Sequence, residues 1–90
     1  MEDLKQVTEL LLNQVSHWSS ARWGGRGQLL HEALQRIAGP RHPLPRLADT
    51  VLPDQLRVVV AEVLAGGDPA EIDRATAELK AVRLSLTSAQ

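Results

Sequence analysis

Gly66-Gly67-Asp68-Pro69-Ala70-Glu71 is the stretch from which the fold is read. The two glycines end one helix and the next begins at once. Asp68 supplies a capping oxygen, Pro69 suits the first helical position, and Glu71 stands where a capping box places its carboxylate. So short a connection predicts an antiparallel helical hairpin. Downstream, Ile72, Ala75, Leu79, Val82 and Leu86 recur in steps of three and four, a narrow seam on a helix over 69–86. Arg74, Glu78, Lys80 and Arg83 fall outside it.

Upstream, Leu56, Val59, Val60, Val63 and Leu64 make the inner face of a helix over 53–65, with Pro53 in its first turn. Val58 lies opposite, beside Ala61 and Ala65. The run Val58-Val59-Val60 also has strand character. A helix is preferred because no second strand-like segment exists to pair its backbone groups.

The first half of the chain predicts two more helices. Over 3–19, Asp3 is the N-cap and Leu4, Val7, Leu11, Val15 and Trp18 form one stripe, which makes Trp18 a core residue. Leu10 and Leu12 widen that stripe, which implies more than one packing neighbour. Over 28–38, Leu30, Ala33, Leu34 and Ile37 face inward, Leu29 marks the edge, and His31, Glu32, Gln35 and Arg36 face outward. Gly39-Pro40 stops this helix. Between the two, 19–27 reads as a loop, because each of Gly24, Gly25 and Gly27 costs about 1 kcal/mol in a helix interior. Pro40, Pro43 and Pro45 make a stiff connector. One helical turn is expected over 46–50, tacked to the core by Leu47 and Val51.

The expected architecture is all-α: a single domain over 1–90, a four-helix bundle of two helical hairpins joined by the Pro-rich connector. The broad stripe on the first helix, together with Val58 and Leu84, points to completion by a homodimer, since a small chain buries a limited share of its surface.

Apolar residues make up 43% of the 90-residue chain, enough for a folded core, and that core is aliphatic because Trp18 and Trp23 are the only aromatics. The lack of cysteine rules out disulfides, thiolate nucleophiles and Cys-ligated zinc, and it fits a cytoplasmic protein. An acidic start is not that of a secretory signal, and the apolar run 58–65 is too short to cross a bilayer, so no membrane partner is expected. The Ala/Leu/Arg-rich composition reads as bacterial in style.

The net charge of −1 conceals a block structure: −2 over 1–16, +4 over 17–46 and −3 over 47–90. The middle block sets Arg22, Arg26, Arg36, Arg41 and Arg46 against Glu32 alone. Such a block either attracts an acidic partner or neutralises the protein's own acidic helices, or those of a second copy.

Catalytic patterns fail at named positions. His31-Glu32 begins a zinc-protease motif, but Gln35 stands where the second histidine must be. His17, His31 and His42 are scattered, so no metal site is expected. The segment Gly24-Gly25-Arg26-Gly27 lacks the ending of a nucleotide-phosphate loop; with Arg26 it is either a weak anion site or an ordinary turn. No serine lies in a nucleophile elbow. The carboxylates of Asp68, Glu71 and Asp73 are explained by capping and the helix dipole. The chain therefore reads as a non-enzyme without cofactor.

The leading expectation is a protein-protein interaction module, an adaptor or regulator that self-associates. Its contact residues would be Arg22, Trp23, Arg26, Arg41, Arg46, Leu10, Leu12 and Val58, since Trp and Arg dominate interface hot spots. Trp23 is either such a contact or a lid over the bundle end. The alternative is a nucleic-acid-binding protein, with arginines of 17–46 on phosphates and Trp23 stacked on a base. Net negative charge and the lack of a recognition helix oppose it.

Overall fold

The structure is a computed structural model and describes residues 3–39, 42–46 and 48–88. Three of its helices begin at residues whose side chains cap them. Asp3 accepts a hydrogen bond from Gln6 N at 2.8 Å and opens α1 (Leu4–Val15). Ser19 Oγ accepts one from Arg22 N at 3.2 Å and opens a single turn, α2 (Ser20–Trp23). Helix α3 (Arg26–Ala38) follows after Gly24-Gly25. A 3-10 turn at Asp49–Val51 leads into α4 (Leu52–Gly66). Asp68 Oδ1 accepts from Ala70 N at 3.0 Å and opens α5 (Pro69–Ser88). Gly67 takes φ +68°, a left-handed conformation that costs a side-chain-bearing residue and costs glycine little. No strand occurs among the described residues, and Val58-Val59-Val60 is helical.

Three boundaries differ from the sequence reading. The first helix stops at Val15 rather than running to position 19, because Ser16, His17 and Ser19 are weak helix formers and Ser19 caps a new turn instead. The expected loop 19–27 holds α2 and the start of α3, so Arg26 and Gly27 are helical. The turn expected over 46–50 lies three residues later. Pro40, Arg41 and Leu47 fall outside the described residues.

The core is aliphatic apart from one ring. Leu4, Val7, Leu11 and Val15 of α1, Leu30, Ala33, Leu34 and Ile37 of α3, Leu52, Leu56, Val59 and Val60 of α4, and Ala75, Leu79, Val82 and Leu86 of α5 belong to one buried cluster. Thr8 is also buried, and its hydroxyl is satisfied by donating to Leu4 O. Leu64, expected inside, is exposed, and Val63 is half-buried: the last turn of α4 and the first of α5 project past the core as a tip.

Helix α1 packs on α4 and α5, and α3 packs on the same two. The expected first hairpin is therefore not formed; α1 and α3 scarcely meet each other. Two packing partners account for the breadth of the α1 stripe: Leu12 packs against the core and Leu10 is half-buried. The accessible surface, 5447 Å², is close to the roughly 5,200 Å² typical of a monomer of this mass, so the core closes within one chain.

The connector is strapped to α3. Gln35 Nε2 donates to Gly39 O at 3.1 Å and His42 O at 3.2 Å, and Gln35 Oε1 accepts from Leu44 N at 2.7 Å. His31 Nε2 bonds Leu44 O at 3.2 Å, and Arg46 Nε donates to Gln28 Oε1 at 3.3 Å. Gln28, His31 and Gln35 share one face of α3, so the connector runs back along that helix. From α4, Gln55 Nε2 donates to Pro45 O at 3.0 Å. The face read as outward is thus only partly solvated, because its amide and imidazole groups satisfy a proline-rich backbone with few N–H groups of its own.

Candidate functional site

The break after α1 brings the two tryptophans together. Trp18 N donates to Val15 O at 3.0 Å, which turns the chain, and Trp23 N donates to Ser19 O at 3.0 Å, which closes α2. The rings meet edge to face, with centroids 5.1 Å apart and planes at 75°. Trp23 is 1% exposed and Trp18 half-buried at the surface. Of the two roles open to Trp23, the structure shows the lid, sunk into the core; Trp18, expected in the core, packs against it from the surface and is half-buried. An uninterrupted helix would have kept Trp18 in the stripe and left Trp23 outside. The cue was Ser19, a capping residue four positions before Trp23.

Two arginines gather on the exposed ring. The Arg22 guanidinium lies 5.3 Å from the Trp18 centroid and that of Arg26 lies 5.9 Å from it, both within cation–π range. Arg26 Nη1 also donates to Arg22 O at 2.8 Å, which ties α3 to α2. Two further arginines of the basic block are spent inside the molecule. Arg36 Nε pairs with Glu78 at 2.9 Å, linking α3 to α5, and Arg46 Nη2 pairs with Asp49 at 2.6 Å. Arg41 lies outside the described residues. The self-neutralising reading therefore fits Arg36 and Arg46 and does not extend to Arg22 and Arg26.

The apolar candidates also separate. Leu10 and Leu12 are half-buried, whereas Val58 is 57% exposed. Around Val58 on α4 lie Ala61, Leu64 and Ala65, all exposed. This strip borders a groove of about 220 Å³ between α4 and α1, walled by Lys5, Thr8, Glu9, Arg57, Val60, Ala61 and Leu64. Arg57 Nη1 pairs with Asp54 at 2.8 Å along the same helix. Leu84 on α5 is 70% exposed.

A larger cavity, about 480 Å³, lies where α3 ends, with Ile37, Val59 and Val63 at its apolar side and His42, Glu62, Glu71 and Arg74 at its polar side. Arg74 is committed to structure: its guanidinium donates to Arg36 O at 3.0 Å and Ile37 O at 3.5 Å, capping α3 with positive charge at the negative end of the helix dipole. Among the described residues no three His, Asp or Glu side chains converge as metal ligands, and no helix is long and apolar enough to cross a membrane. Comparison with protein families, with curated proteins and with solved structures finds no match to this chain.

Proposed function

We propose that this chain is a non-catalytic protein-interaction module, a small cytoplasmic adaptor or regulator, that pairs with a second copy of itself through the outward face of α4. The observation that carries the reading is the line of Val58, Ala61 and Ala65 on that face, with Val58 57% exposed. The three residues are spaced by three and four, as in a coiled-coil seam, and the small alanines allow close approach. Asp54, one turn earlier, ends the apolar run. Arg57 and Glu62 flank the strip on opposite sides, five residues apart. Two α4 helices side by side and parallel would therefore set Arg57 of each copy against Glu62 of the other, the spacing at which flanking charges pair across a two-stranded seam.

Sedimentation equilibrium tests this. The wild-type chain is expected to dimerise and Val58→Asp to remain monomeric. Arg57→Glu and Glu62→Arg should each weaken association, and the double exchange should restore it. A wild-type chain that stays monomeric at hundreds of micromolar, or a Val58→Asp variant that dimerises as well as wild type, overturns the reading.

Nucleic-acid binding through 17–46 draws less support. The ring assigned to stack on a base, Trp23, is buried, and two of the arginines assigned to phosphates already hold carboxylates.

A further inference from the structure

Arg22 and Arg26 place two positive charges on one indole ring, and among the described residues neither guanidinium has a carboxylate within ion-pair distance. Both guanidiniums lie within 6 Å of the same ring centroid, and like charges in one neighbourhood repel each other. The Trp18 ring offsets part of that cost, and an anion shared between them would offset more. We propose that Trp18, Arg22 and Arg26 form a binding site for a phosphate monoester dianion.

Three observations select that ligand class. First, Trp18 is braced rather than loose: its ring leans edge-on against the buried Trp23, and Arg26 is fixed through its bond to Arg22 O. Trp18 and Arg26 are therefore in place before any ligand arrives, which lowers the ordering cost of binding. Second, the charge is concentrated at one point. Arg36 and Arg46 are engaged by Glu78 and Asp49, so among the described residues no basic track continues from the site to follow a polyanionic strand. A compact double negative charge matches two guanidiniums, whereas a single diester or carboxylate leaves one of them unmatched. Third, two guanidiniums already lie over the indole, where they compete with a base for the ring. Guanidinium forks suit phosphate oxygens through paired N–H donors. Asp49 stands near the start of α3, but its carboxylate holds Arg46 and lies against Gly27.

The test is a titration followed by the Trp18 indole N–H and arginine Nε–H signals in NMR spectra of the whole protein, at constant ionic strength. The probes are inorganic phosphate, O-phosphoserine, dimethyl phosphate and a single-stranded oligonucleotide without terminal phosphate. Saturable shifts at Trp18, Arg22 and Arg26 are expected with the two dianions, and which of them binds tighter separates a free phosphate from an esterified one. Arg22→Ala should weaken binding about tenfold, because its backbone and the Ser19 cap stay in place while one charge-assisted contact is lost. Arg22→Lys should fall between, and Arg36→Ala should leave binding unchanged. No saturable shift, binding untouched by Arg22→Ala, or tighter binding of the oligonucleotide through the same residues each overturns the proposal.

Discussion

Gly27 of α3 lies directly against the carboxylate of Asp49. A β-carbon at position 27 would run into Asp49 Oδ1 and stand 3.0 Å from the Arg46 guanidinium. Glycine here is a requirement of close approach between α3 and the 3-10 turn. In an open helix Gly→Ala stabilises by about 1 kcal/mol. At position 27 the sign should reverse, with a net cost of about 1 kcal/mol once crowding against the Arg46–Asp49 pair is included. A urea midpoint for Gly27→Ala equal to or above that of wild type would show that the pair moves aside freely.

The adjacent glycines at the end of α4 should respond in opposite directions. Gly66 has open space around it and lies within the helix, so Gly66→Ala should stabilise by about 0.5 kcal/mol. Gly67 holds φ +68°, and Gly67→Ala should cost about 1 kcal/mol. Thermal midpoints of the two variants should move to either side of wild type, by about 2–8 °C for a domain of this size.

Gln35 is the strap's main fastening. Gln35→Ala removes both donors and the acceptor that meet Gly39, His42 and Leu44, and it should destabilise by about 2 kcal/mol. Amide exchange distinguishes this from general loosening: Leu44 N–H should lose protection more than the core amides of α5. Gln35→Glu keeps the acceptor for Leu44 N and should fall between.

The two tryptophans are separable by fluorescence. In Trp23→Phe the remaining emission comes from Trp18, so iodide should quench it more strongly than in Trp18→Phe. Trp23→Ala should cost about 3–5 kcal/mol, a large part of the stability of a small domain. Equal quenching in the two single-tryptophan variants would contradict the placement of Trp23 beneath Trp18.

What the sequence disclosed, and what it withheld, follows physical lines. Helical periodicity and caps are local, so Asp3, Asp68 and the seam from Ile72 to Leu86 could be read directly. The partner of each helix is not local. The wide stripe of α1 is as consistent with a second chain as with two neighbours inside one, and contact with both α4 and α5 accounts for its breadth within one chain. The basic block was legible as charge but not as pairing: Arg36 meets Glu78 forty-two residues away in sequence. The burial of Trp23 was not legible, because three glycines outweighed the cap at Ser19 in the reading of 19–27 as a loop. Gln35 reads in the sequence as an outward-facing residue that breaks a zinc motif, although its amide is a suitable anchor for a proline-rich strand.

The crossed packing of α1 and α3 onto α4 and α5 bears on how the chain is made. When α3 leaves the ribosome, α1 and α3 carry most of their apolar residues and have no surface to cover them, since they scarcely pack on each other. Their cover is encoded in residues 52–88, on the far side of the strapped connector. Translating that stretch at about 5–20 residues per second leaves the first half waiting for a few seconds. During that interval the apolar faces of α1 and α3 lack the helices that cover them in the folded chain, and the core is complete only when α5 is free.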